Sequence, residues 1–339
     1  MANRTETSGR PRQRRLLAML LSLTLGIATG FYLMPTLFAA APLDLRRTQI
    51  LLQALHTGPS RPEIVVFGNS IAMCGIDARA IETGLPGSPI SWNLSSPGQT
   101  LAESFLYLQE LPRSVRTIVY VLPIGNLESP AAFNPYVINA FYMYGYRPSK
   151  ATRELLTAIY KPSEVIPLTQ PNLAQRFEAR WAVRNSVDTG LRQLLRPDLE
   201  LQRSLEDLHH PAPYTQRLPS EKLDRELRDL LTTHGRGEFR PAPAQMRLLS
   251  NMVTTALRDQ RHVVLAFAPI HPTVLEGFGA EFTPTLEEFI AGLDHRSGVS
   301  VLDATQLLTG DDFIDAVHPT SAGAHRWTVR LVETLAELN

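Results

Sequence analysis

Residues 63–77 read EIVVFGNSIAMCGID, and this stretch decides the fold. Ile64-Val65-Val66-Phe67 is a run of β-branched and aromatic residues without polar alternation. Such a run predicts a strand covered on both faces, as in a parallel sheet with helices on either side. It stops at Gly68-Asn69-Ser70. A glycine directly after a buried strand lets the backbone turn sharply, and the next serine is presented at the carboxyl edge of the sheet, where open α/β sheets bind ligands. Two readings are open here: Ser70 is a nucleophile, or it is the N-cap of an ordinary strand-to-helix turn.

Working outward, the strand is followed by a brief helix over 77–83, a second strand over Pro89–Leu94 closed by Ser95-Ser96-Pro97-Gly98, a helix over 100–111, and a third strand over Thr117–Leu122 running into Pro123-Ile124-Gly125-Asn126. This alternation predicts a parallel α/β sheet. Residues 130–243 break it. Helical patterns recur there, with Leu173, Phe177, Trp181, Leu191 and Leu195 on one face and Leu223, Leu227, Leu230 and Leu231 on another, but no strand stands out. A core α/β unit does not leave so long a stretch without a strand, so 130–243 reads as a helical insertion after the third strand. Tyr136, Phe141, Tyr142, Tyr144 and Tyr146 at its start either pack the insertion on the body or line a cleft. A helix over 246–257, a fourth strand over His262–Ala268, a fifth over Val299–Asp303 and a closing helix over 324–338 complete a five-stranded sheet flanked by helices.

Upstream, residues 1–15 hold Arg4, Arg10, Arg12, Arg14 and Arg15 against Glu6 alone, and residues 16–41 carry no charge. Leu16 to Met34 is long enough at 1.5 Å per residue to cross most of a ~30 Å hydrocarbon core. The expectation is a cytoplasmic basic tail (1–15), a single transmembrane anchor or signal segment (16–41), a linker (42–62) and an extracytoplasmic, periplasmic body (63–339) at the cytoplasmic membrane. Ala39-Ala40-Ala41 leaves cleavage open, although the apolar run exceeds an ordinary signal-peptide core.

The 339 residues are 44% hydrophobic and 19% charged with zero formal net charge, which fits a folded body and gives no electrostatic footprint for nucleic acid. One cysteine, Cys74, excludes an internal disulfide and reads as a buried thiol.

The second informative stretch is Phe313 to Gly323, FIDAVHPTSAG. Asp315 three residues before His318 can accept a hydrogen bond from the imidazole and leave its other nitrogen for a serine. Alone, such a pair is equally a solvated Asp and a surface His. Together with the Gly68-Asn69-Ser70 turn and the five-stranded order, however, residues 61–125 and 245–339 resemble the SGNH/GDSL hydrolase superfamily. That resemblance implies a flavodoxin-like three-layer fold with Ser70, Asp315 and His318 as catalytic residues. It also implies an oxyanion site made by the Ser70 and Gly98 backbone N–H groups with the Asn126 amide, and no cofactor or metal. The family's Gly-x-Asn-Asp pattern is shortened here to Gly125-Asn126, with Leu127 where the Asp would stand.

With the anchor and the insertion, the chain looks like anchored family members that acylate or deacylate a cell-envelope polysaccharide beside a multi-span membrane acyltransferase. A stand-alone esterase or lipase and a non-catalytic assembly protein of the same fold remain as alternatives. The Asn93-Leu94-Ser95 sequon is discounted because Asn93 ends a buried strand. His271, after the fourth strand, either faces the site or is a plain loop histidine.

Overall fold

A computed structural model describes residues 17–26, 61–129, 148–169, 208–210, 216–233, 237–293 and 297–338, with shorter pieces between 47 and 56 and between 131 and 146. Five strands form one all-parallel sheet: β1 (Ile64–Phe67), β2 (Ser91–Asn93), β3 (Thr117–Leu122), β4 (His262–Phe267) and β5 (Val299–Asp303), in the order β2-β1-β3-β4-β5. Val65 pairs with Trp92 on one side and Ile118 on the other, and Val264 lies between Val119 and Ser300.

Because side chains alternate across a strand, each apolar run supplies both faces. Val65, Phe67, Ile118, Tyr120, Leu122, Val263, Leu265 and Phe267 enter one core, against α3 (Leu101–Glu110) and α8 (Pro243–Arg258). Ile64, Val66, Val119, Val121, Val264 and Ala266 enter the other, against α1 (Ser70–Gly75), α2 (Ala78–Gly84) and α11 (Ser321–Ala336). This double covering explains why β1, β3 and β4 show no polar alternation. The first core carries a chain of rings: Phe67 lies 5.7 Å from Tyr120, Tyr107 lies 4.6 Å from Phe141, and Phe141 lies 5.0 Å from Tyr146. Phe141 and Tyr146 thus pack the start of the insertion onto the body, while Tyr136, Tyr142 and Tyr144 lie outside the described residues.

After β3 come α4 (Ile124–Glu128) and, within 130–243, α5 (Lys150–Ile159), α6 (Pro162–Thr169) and α7 (Ser220–Thr233). No strand occurs among the described residues of that segment. Leu227 is buried, and Leu223, Leu230 and Leu231 pack on the core, as their spacing predicts, whereas the face from Leu173 to Leu195 falls outside the described residues. Two helices between β4 and β5 went unanticipated, α9 (Pro272–Gly277) and α10 (Phe282–Ala291). The closing helix begins at Ser321 rather than 324, because the Thr320 hydroxyl accepts from the Gly323 N–H and caps it.

Residues 17–26 are helical with exposed leucines, and among the described residues no helix is long and apolar enough to cross a membrane. The rest of 16–41 and all of 1–15 lie outside the described residues. Within 42–62, read as a linker, Leu51, Leu52, Ala54 and Leu55 are buried in the first core, and Arg47 is fully buried.

Candidate active site

The site lies where the strand order reverses between β1 and β3, the crevice in which doubly wound sheets bind ligands. Gly68 makes the turn possible. A Cβ there would lie 2.5 Å from that of Ala72 and 3.1 Å from that of Val121, so only a bare backbone passes between β3 and the first turn of α1. The cap of α1 is Asn69, not Ser70: its side-chain oxygen accepts the Ile71 N–H at 2.9 Å. Relieved of capping, Ser70 takes the first helical position, where its own N–H has no intrahelical acceptor and its hydroxyl is free for other partners.

The partner is His318, 248 residues away, whose Nε2 lies 2.9 Å from Ser70 Oγ. Its Nδ1 lies 2.7 Å from Asp315 Oδ2, and Asp315 Oδ1 accepts the Val317 and His318 backbone N–H groups at 2.9 and 2.7 Å. Burial acts to raise the Asp315 pKa, but the hydrogen bond and electrostatic attraction of the His318 ring together with the two backbone N–H groups outweigh it and hold the carboxyl below its usual range. An ionised Asp315 accepts Nδ1–H and therefore leaves Nε2 as the acceptor for the Ser70 hydroxyl.

The loop carrying this pair is pinned from several sides. The Ile314 N–H donates to the His318 carbonyl at 2.9 Å, Phe313 bridges to Pro319, and Leu218 of the insertion donates its N–H to the Ile314 carbonyl at 2.8 Å. Asp312, tied to Arg326, accepts the Thr309 N–H at 2.9 Å. On the other side, Thr328 of α11 accepts the Asp77 N–H at 3.0 Å and donates to the Gly75 carbonyl at 3.3 Å, locking the serine's helix to the helix that follows the histidine.

Asn126 lines the cavity beside Ser70 and donates one side-chain N–H to the Gln99 carbonyl at 3.1 Å, which leaves its second N–H for a ligand. Leu127 is fully buried in the core, which accounts physically for an apolar residue there instead of a carboxylate. Gly98 sits on the turn after β2 at φ +65°, with its carbonyl accepting from Asn134 Nδ2 at 3.1 Å; it is not among the residues lining that cavity. The turn itself is tied down by Arg47, which donates to the Ser95 carbonyl at 3.0 Å, and by the buried Asn93, whose Nδ2 donates to the Ala72 and Ile76 carbonyls of the serine's helix at 3.1 and 2.9 Å. Full burial of Asn93 agrees with the dismissal of its sequon. Cys74 is buried.

A cavity of about 440 Å³ opens at Ser70, walled by the segments after β1, β3 and β4, by Ala316 and Val317, and by Leu230 of the insertion. His271 lines it too. Its Nδ1 accepts the Thr273 N–H at 3.2 Å as the cap of α9, so Nε2 carries the proton, and burial followed by the nearby Arg217 charge lowers its pKa. Val274 and Phe278, on the unanticipated helix and its cap, complete the wall; the apolar spacing Val274, Phe278, Phe282 is a 3.6-period signal that could have found them.

No protein-family model matches the chain, and no curated protein is significantly similar to it. The site is therefore read from its geometry.

Proposed function

We propose that the protein is a serine-dependent acyl-transfer enzyme of the SGNH/GDSL type, with Ser70 as nucleophile, His318 as general base and Asp315 as the residue that orients it. The observation that carries this reading is the continuous hydrogen-bonded chain Asp315–His318–Ser70 at the mouth of a cavity on the carboxyl edge of the sheet. In it, Ser70 Oγ attacks an ester carbonyl while its proton passes to His318 Nε2. The oxyanion meets the Ser70 N–H and the second N–H of Asn126, with the Gly98 N–H as a further donor if the loop after β2 approaches a bound ester. Collapse breaks the ester C–O bond, the leaving alkoxide takes the proton from His318, and an acyl-Ser70 ester remains. Water or an acceptor hydroxyl then gives its proton to His318 as it attacks; the acyl–Oγ bond breaks, Ser70 Oγ takes that proton back from His318, and acid or a new ester is released.

The arginine-flanked apolar segment supports an anchored, extracytoplasmic body, and with it an acceptor or donor in the cell envelope: a polysaccharide hydroxyl, served together with a multi-span acyltransferase. A reporter active only in the cytoplasm, fused after Asn339, should stay silent; activity would reverse the topology. The assembled triad weighs against a purely structural protein, and transfer rather than hydrolysis requires a positioned acceptor, since positioning can supply effective molarities of ~10⁵ M or more.

The test is to mix the protein with an activated aryl ester and envelope oligosaccharides and follow the label by mass spectrometry. Label on Ser70 and then on sugar is expected. Free acid alone, unaffected by any oligosaccharide, favours a plain esterase, and failure to acylate Ser70 in folded protein defeats the enzymatic reading.

A further inference from the structure

We infer that the cavity over Ser70 is an acyl pocket, which takes the hydrocarbon chain of a medium-length aliphatic ester and leaves the alcohol half of the substrate outside. The inference rests on the reading of Ser70 as nucleophile.

The cavity's chemistry points to an apolar occupant. Ile71, Ile124, Leu230, Ile270, Val274 and Phe278 are the large apolar residues of the wall, and none of its lining residues is Asp, Glu, Lys, Arg, Tyr or Trp. A sugar ring brought into such a space would lose its water without finding carboxylates, guanidinium groups or broad aromatic faces to replace it. The polar side chains present are Asn69, Ser70, Asn126, Ser129 and His271. Of these, Asn69 is occupied as a cap, Ser70 and Asn126 belong to the reacting end, Ser129 Oγ accepts the Ala131 N–H, and His271 is held in one neutral tautomer by its own capping bond. A hydrocarbon chain meets no charge inside.

Stereochemistry then decides which half of an ester enters. The leaving oxygen must come within hydrogen-bond reach of His318 Nε2 to take its proton. His318 does not line the cavity, although its neighbours Ala316 and Val317 do. The alcohol therefore lies on the His318 side of Ser70, outside, and the acyl chain takes the cavity. At about 440 Å³ the space falls in the range that buries a whole small ligand, far more than an acetyl group fills. Leu230, carried by α7 of the insertion, forms part of its wall, which gives the insertion a role in substrate selection.

Binding can be separated from chemistry by titrating full-length Ser70→Ala protein, in a rigid sterol-based detergent, with straight-chain primary amides from acetamide to dodecanamide in a calorimeter. Affinity should rise about fourfold per added CH₂, the factor that corresponds to about 0.8 kcal/mol of burial, and level off once the cavity is full. Leu230→Trp should move that levelling point to a shorter chain. Affinity that does not change with chain length in the Leu230 protein overturns the pocket whatever the variant does. In parallel, wild-type protein is offered aryl esters of the same chain lengths. Amide binding that keeps its length dependence while Ser70 stays unacylated would leave the acyl pocket standing and defeat only the catalytic reading.

Discussion

The ring of Trp327 occupies the space that a side chain at Gly75 would need: a Cβ there would lie 2.3 Å from the ring. Gly75 ends the helix that begins at Ser70, and Trp327 belongs to the helix capped two residues after His318. The contact sets how closely the helices carrying Ser70 and following His318 approach. Gly75→Ala should force the two helices apart, destabilise the fold by about 1–3 kcal/mol and reduce Ser70 acylation. Urea unfolding followed by tryptophan fluorescence measures the first effect, and an unchanged midpoint would contradict the packing.

The triad should behave as a unit. Ser70→Ala and His318→Ala are each expected to lower turnover by several orders of magnitude, and the double variant little further, because the residues share one proton-transfer chain. Asp315→Asn adds a pH signature. Since the folded carboxyl titrates below its ordinary value, its ionised form stabilises the protein above the unfolded pKa, and that stabilisation is lost as pH falls through the lowered folded value. The stability gap between wild type and Asp315→Asn should therefore be widest near neutrality and close in acid. A gap independent of pH would mean that the carboxylate is not held as described.

Glu103 gives the opposite slope. It is fully buried on α3 and accepts the Thr100 and Asn134 N–H groups at 2.8 and 2.7 Å, but burial raises its pKa from 4.5 to about 8 despite these bonds. Between those values the folded state holds a proton that the unfolded chain has released, so stability should fall as pH rises from 4.5 to about 8. Glu103→Gln should flatten that fall. Thermal unfolding of both proteins across the range checks it, and parallel pH profiles would refute it.

Arg47 should matter beyond its place near the apolar segment. Its guanidinium donates to the Asn93 and Ser95 carbonyls at the turn that precedes Gly98, and hydrogen bonds to charged groups contribute about 1.5–3 kcal/mol each. Arg47→Met should lower stability and, by loosening that turn, reduce kcat for an aryl ester more than it raises KM. Deleting residues 1–62 should be worse than deleting 1–42, because the longer deletion also removes Leu51, Leu52 and Leu55 from the core. Equal melting temperatures of the two truncated proteins would return this stretch to the status of a linker.

Much of the body was legible in the linear chain. The runs at 64–67, 117–122 and 262–267 announce strands because a strand covered on both faces is apolar almost throughout, and each lies where its run does, as does the half-buried edge strand at 299–303. Ser70, Asp315 and His318 were findable because a sharp turn after the first strand and an Asp-x-x-His before the last helix are local patterns. Other features depend on distant partners. That Asn69 rather than Ser70 caps the first helix leaves Ser70 available, and it follows from the geometry of a turn that Ala72 and Val121 crowd. The cavity, with Leu230 and Phe278 in its wall, and the tie from Arg47 to the turn after β2 join segments far apart in the chain. Periodicity can say which face of a helix is apolar, but not what that face meets. By itself the sequence determined where the strands fall along the chain, the turn that presents Ser70 and the three-residue spacing of Asp315 and His318. Only the tertiary structure decided that the histidine reaches the serine, because that 2.9 Å contact depends on two helices closing on each other through Gly75 and Trp327.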